Sequence, residues 1–247
     1  MSQPRPATLL AALLGAALLA APGHAQYRGA PGGGRGPALI FSDPGEVVAA
    51  EIAFARLARE KGQWAAFRAT AAQGAQMFAP QPVRVEEFLK GRAEAPAGLA
   101  WQPHAVVLSC DGAYAVSRGV WTNGARHGWF ATVWQRQKDG RFKWVLDQGG
   151  ALAEAPAAPE MISAKVADCP PRRAPQREAE ATRPGRRPVG IPVEPFDKAH
   201  PTDFTSHAAP DGSLAWHTEF TGKVRTLTVA IRQGTEMVEV LHLSDGA

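Results

Sequence analysis

Residues 129–149 read WFATVWQRQKDGRFKWVLDQG. Two runs rich in aromatic and β-branched residues flank Asp139-Gly140, a dipeptide that strongly favours a tight hairpin turn. With a two-residue turn, Lys138 pairs with Arg141, Gln135 with Trp144, Val133 with Leu146 and Ala131 with Gln148. Side chains alternate across a strand. Trp129, Ala131, Val133, Gln135, Phe142, Trp144, Leu146 and Gln148 therefore share one face, which is predominantly apolar and is expected to meet helices and a pocket. Phe130, Thr132, Trp134, Arg136, Lys143, Val145 and Asp147 share the other, where Thr132 opposes Asp147. That second face still carries Phe130 and Trp134, an apolar patch that a soluble monomer seldom leaves open. Strands within 211–243 or a second subunit, making a homodimer, are the two covers the sequence offers.

Further turn signals punctuate the strands on either side. Trp101–Cys110 ends at Asp111-Gly112, and Ala113–Thr122 ends at Asn123-Gly124. Upstream the periodicity is helical. Asp43 is a natural N-cap, Pro44 suits the first helical position, and Glu46 completes a capping-box pattern. Val47, Val48, Ile52, Phe54, Ala55, Leu57 and Ala58 recur at helical spacing until Gly62. A second short helix carries Trp64, Phe67 and Ala71. Met77-Phe78 reads as a short strand, and Val85, Phe88 and Leu89 as a third short helix. Helices followed by antiparallel strands make an α+β domain over residues 39–150.

Beyond it, residues 151–169 read as a trailing strand or tether. Residues 170–210 form a Pro/Arg-rich linker with few large apolar groups and are expected to be largely irregular. Leu214–Thr221, Arg225–Arg232 and Met237–Leu243 then form a C-terminal β meander within 211–247. Three such strands make a thin core and are expected to pack on the first domain rather than fold alone.

The N-terminus reads as a secretory signal over residues 1–25. Arg5 is followed by an uncharged Leu/Ala run from Leu9 to Ala21, then Pro22-Gly23, with small residues Gly23 and Ala25 before a cut after Ala25. A run of about 13 residues is shorter than a membrane-spanning helix requires. The mature chain is therefore expected in the periplasm or secreted, with no integral membrane segment, starting in a Gly/Pro tether at 26–38. An oxidising compartment lets Cys110 and Cys169 close a disulfide, against the alternative of two free buried thiols.

The formal net charge of +4 is concentrated in the tether and the linker, leaving the folded part near neutral. A nucleic-acid partner, which needs a basic face on a structured element, is not expected. The histidines and cysteines show no metal-ligand spacing, and no cofactor motif is present, so neither a metal nor a cofactor is expected.

FARLAREKGQWAAFRATA (54–71), WQPH (101–104), SCDG (109–112), RGVW (118–121) and the 129–149 hairpin together resemble the nuclear-transport-factor-2-like superfamily. The likeness is to an exported bacterial branch related to its polyketide-cyclase-like and ketosteroid-isomerase-like groups, and it covers roughly residues 40–150. It implies a strongly curved antiparallel sheet wrapped around the N-terminal helices, cone-like, with an apolar pocket. It does not fix activity, because members include enzymes and non-catalytic binding modules.

Trp101, Arg118, Trp121, Trp129 and Gln148 are the candidate ligand-binding residues. His104 and Asp147 are the only candidates for an acid/base pair. The isomerase constellation of tyrosine and carboxylate donors is not matched: Tyr27 lies in the tether and the first helix has no Tyr. No catalytic residue is therefore assigned. The expected role is a non-catalytic small-molecule-binding or assembly module taking a small apolar ligand. An isomerase, cyclase or dehydratase using a pocket carboxylate is the first rival, and an envelope protein-interaction module the second. A pocket carboxylate with a raised pKa favours the enzyme.

Overall fold

The structure is a computed structural model and describes residues 42–79, 81–154, 156–170, 207–222 and 224–246. The expected signal sequence at 1–25, the expected tether at 26–38 and most of the expected linker at 170–210 lie outside the described residues.

Helix α1 (Pro44–Lys61) begins as its sequence dictates. Asp43 accepts from the Gly45 amide at 2.8 Å, and Gly62, at φ 101°, ends it. Glu46 does not close a capping box; its carboxylate pairs with Arg136 on the sheet. Ser42 donates to the Ser109 carbonyl at 2.8 Å, tying the helix start to a strand turn. Helix α2 (Gln63–Thr70) follows, then β1 (Ala71–Phe78), β2 (Pro82–Arg84) and α3 (Val85–Phe88). Four long strands come next: β3 (Leu99–Leu108), β4 (Tyr114–Asn123), β5 (Arg126–Arg136) and β6 (Phe142–Ala151). The described chain closes with β7 (Ser163–Val166), β8 (His207–Ala208), β9 (Leu214–Phe220), β10 (Val224–Gln233) and β11 (Glu236–Gly246).

The fold is α+β. The first sheet runs β2-β1-β6-β5-β4-β3-β7, with β1 parallel to β6, β7 parallel to β3, and the rest antiparallel. The second runs β11-β10-β9-β8. Neither sheet closes on itself. Among the described residues no helix is long and apolar enough to cross a membrane.

The 129–149 hairpin departs from the two-residue turn. Gln137 donates to the Arg141 carbonyl at 2.8 Å, so the loop is Lys138-Asp139-Gly140, with Gly140 at φ 83°. The longer loop shifts the strand ends by one residue: Gln135 pairs with Lys143 and Trp134 with Trp144. A β-bulge then absorbs Val145 and restores the expected pairs Val133 with Leu146 and Ala131 with Gln148.

The faces are largely the reverse of the expectation. Trp134 joins Trp144 against the helices, where both meet Phe54. Ala131, Val133 and Leu146 point the other way, into a second core with Leu214, Trp216, Leu227, Val229 and Ile231 of the second sheet. Both faces of the first sheet are therefore covered. Apolar residues fill both sides, and counting them cannot say which side meets the helices.

Cys110 and Cys169 are bonded, with Cα atoms 5.1 Å apart. The link fixes the end of β3 to the segment after β7, whose Asp168 reaches the second sheet through Arg232 and Gly234. Closing a loop of 59 residues restricts the unfolded chain by about 4 kcal/mol in the chain-entropy estimate. Replacing both cysteines with alanine is expected to lower the urea-unfolding free energy by up to that amount. Reducing the wild type should produce the same loss, and the double variant should be insensitive to reductant.

Candidate functional site

A cavity of about 340 Å³ opens between the helices and the pocket face of the first sheet. Eight aromatic rings contribute to its wall. Phe54 of α1 packs on Phe67 of α2 at 5.0 Å and on Trp101 of β3 at 4.8 Å. Trp64 meets Phe88 at 5.6 Å and narrows the helical side. Glycines shape the sheet side. A Cβ at Gly128 would strike the Trp121 indole at 2.4 Å, and one at Gly119 would strike Phe130 at 2.8 Å. Only glycine at these two places lets both rings lie against the sheet. Trp121 Nε1 lies over Gly149, 3.5 Å from where a Cβ would stand.

Two carboxyl groups serve this cavity. Asp147 lines it and accepts from Thr132 Oγ1 at 2.8 Å. The bulge makes this possible: Trp144 and Asp147 both face the helices although they are three residues apart, while Leu146 between them faces the second sheet. Burial pushes the Asp147 pKa up to about 7, the Thr132 bond opposes this, and the Glu51 carboxyl adds to the rise. Asp147 retains partial contact with the open cavity.

Glu51 lies behind the wall and is fully buried. It accepts from Trp101 Nε1 at 2.8 Å, Ser117 Oγ at 2.5 Å and Trp134 Nε1 at 3.2 Å. Burial raises its pKa, and these three bonds pull the other way. Glu51 thus pins Trp101, which lines the cavity, and contributes to the electrostatics of Asp147.

Of the residues singled out from sequence, Trp101, Trp121, Gln148 and Asp147 border the cavity. Gln148 is buried, and its amide nitrogen and oxygen have no hydrogen-bond partner among the described groups. Arg118, Trp129 and His104 do not border it. Arg118 is exposed on β4, on the face opposite the pocket, because it shares the parity of Val116. Trp129 packs into the second core. His104 lies outside the cavity too, its pKa lowered by partial burial and by the charge of Arg118. The His104/Asp147 acid–base pair is therefore corrected: the carboxyl near Asp147 is Glu51, not an imidazole.

Glu51 was legible in the sequence. It stands at helical spacing within the buried stripe Val47, Phe54, Ala55 and Ala58, where a carboxylate is anomalous. Among the described residues, no group of three His, Cys, Asp or Glu side chains could hold a metal ion.

No family model matches the chain, and no curated protein matches it. Among solved structures it is similar to a "putative ketosteroid isomerase" from Kribbella flavida DSM 17836. The two are 18% identical, the match covers 48% of this chain and 88% of the other, and the TM-score is 0.33.

The raised pKa has a thermodynamic consequence. A carboxyl whose folded pKa exceeds its unfolded value favours folding when protonated, and that contribution is lost as pH rises through the folded pKa. Asp147→Asn is thus expected to stabilise the chain more at pH 8 than at pH 4, with a difference of up to ~4 kcal/mol across the shift from 3.8 to about 7. Urea melts of both proteins at the two pH values measure it. Equal effects at both would contradict the raised value.

Proposed function

We propose that this is an exported small-molecule-binding protein of nuclear-transport-factor-2-like architecture, its first sheet wrapping the helices as a cone around the pocket. The ligand is a compact, largely aromatic or alicyclic molecule that presents a hydrogen-bonding group to Asp147. One observation carries the reading: a single carboxyl poised near neutrality faces an aromatic-walled cavity of about 340 Å³. That size and lining suit a small ligand fixed by few polar contacts. Asn123 and Arg126, paired across the β4–β5 turn, border the same cavity and suit an acidic group on the ligand's other end. Along β5, Arg126 and Thr132 are roughly 20 Å apart at the usual strand rise. A fused-ring carboxylic acid with a donor at its far end fits that span once both side chains reach inward.

Calorimetric titration with fused-ring carboxylic acids and their methyl esters tests this. The acids should bind, and both the esters and the Arg126→Ala variant should bind more weakly. Asp147→Asn should abolish the inflection in affinity near pH 7. Equal affinity of acid and ester, unchanged in both variants, would refute it.

A second reading, a proton-transfer enzyme, is favoured by the Asp147 pKa itself. A general base works best when its pKa lies near the working pH. In this reading Asp147 removes a proton from an acidic C–H of the bound ring, and the Trp121 Nε1 donor stabilises the negative charge that develops. Deuterium uptake by a cyclic ketone in D2O, rising through pH 7 and lost in Asp147→Asn, is the expected signature. Binding with no uptake above the protein-free rate would leave the binding reading alone.

The exported location is part of the proposal. The disulfide is compatible with it. Recovery of a mature chain beginning at Gln26 from the periplasm or medium is the expected result, and an intact Met1 terminus in the cytoplasm would contradict it.

A further inference from the structure

The second sheet repeats the first. Asp111-Gly112 before β4 corresponds to Asp211-Gly212 before β9, and Ala115 to Ala215. Thr132-Val133 of β5 corresponds to Thr228-Val229 of β10, and Arg136-Gln137 to Arg232-Gln233. The pairing agrees residue for residue. In the first sheet Ser117 pairs with Thr132, and Thr132 with Asp147. In the second His217 pairs with Thr228, and Thr228 with His242.

Irregular features are repeated as well, and these are hard to match by chance. The first sheet breaks register between Val133 and Trp134 with Val145 as the extra residue. The second breaks between Val229 and Ala230 with Val240 as the extra residue. The Arg136 amide donates to the Ala113 carbonyl at 2.8 Å, and the Arg232 amide to the Ser213 carbonyl at 2.7 Å. The guanidinium of Arg136 reaches the Gly112 and Gly140 carbonyls, and that of Arg232 reaches those of Gly212 and Thr235.

The two copies face each other through equivalent residues. Val116, Ala131, Val133 and Leu146 meet a core that contains their counterparts Trp216, Leu227, Val229 and Leu241. At one end the turns exchange reciprocal bonds. The Asp111 amide donates to Asp211 Oδ2 at 2.9 Å, and the Asp211 amide to Asp111 Oδ2 at 3.2 Å. Matching residues meeting across a contact, each bond returned by its mate, is what a twofold axis generates.

The geometry points to an internal pseudo-dimer: β8–β11 is a second copy of the meander formed by the end of β3 through β6, docked in cis on a face shaped for another copy of this chain. The pocket chemistry is not duplicated, since Ala230 and His242 stand where the first copy has Trp134 and Asp147. The full chain is therefore a monomer, and its second meander, without the tryptophan and aspartate of the first copy's pocket, occupies the surface on which homodimerisation would otherwise occur.

Light scattering after size-exclusion chromatography tests this on two buried valines at equivalent positions. The wild type should remain monomeric at high concentration. Val229→Asp should dislodge the second meander, free the first sheet's face and give a defined dimer. Val133→Asp spoils that face itself and should not dimerise. A monomeric Val229→Asp variant that keeps the near-ultraviolet dichroism of its packed tryptophans would overturn the proposal, as would a wild-type dimer. Against the chance that aspartate unfolds the chain, a protease site placed within 171–206 allows the folded wild type to be cut. The pieces should stay together as a 1:1 complex, or the N-terminal piece should dimerise where the C-terminal piece is lost. An N-terminal piece that separates and remains a folded monomer would overturn it equally.

Discussion

One residue out of step, Val145, organises this molecule. The bulge it makes in β6 lets Trp144 and Asp147 face the helices while Leu146 faces away. A regular strand would have sent Trp144 and Asp147 to opposite faces. The aromatic core under α1 and the carboxyl in the cavity both depend on that local break. So does the apolar row that receives the second sheet. The bulge is a structural device rather than a defect, and its recurrence at Val240 shows that it belongs to the unit that was copied.

Covering the first sheet on both faces also supports the pocket. Arg225 of the second sheet donates to the Gly149 carbonyl and sits over the Phe78 ring at 5.5 Å, and both Gly149 and Phe78 border the cavity. The second sheet thus braces one cavity wall from behind. On the other side Glu51 braces Trp101. Low local polarity then does chemical work, because a carboxyl that cannot be well solvated holds its proton to higher pH. Asp147 is near neutral for that reason first, and because of the neighbouring Glu51 second.

Much of the fold was legible because local chemistry decides it. Asp43-Pro44 and Gly62 bound the first helix, and the Asp-Gly and Asn-Gly pairs separate the strands, as their backbone preferences require. The C-terminal meander was also readable as strands that need a partner. Orientation was not legible. The extra loop residue and the bulge cancel in register, so the mid-strand pairs come out as expected while the faces do not. In the site, Trp101, Trp121, Gln148 and Asp147 could be named from sequence, whereas Arg118 and Trp129 fall on the far face by strand parity and His104 is the extra residue where β3 shifts register against β4. Glu51 carried its own signal, a carboxylate set inside the apolar stripe of α1. The internal repeat was obscured because its copies keep turn residues and a few strand positions, while their buried faces use different apolar side chains.

The protonation state of one carboxyl decides the chemistry of the cavity. A carbon-detected NMR titration of the Asp147 side-chain carboxyl in the intact protein, assigned by its loss in Asp147→Asn, measures it. The prediction is an apparent pKa of about 7, moving downward in Glu51→Gln as the neighbouring carboxyl is removed. A midpoint in the ordinary aspartate range near 4, unmoved by that substitution, would contradict the account.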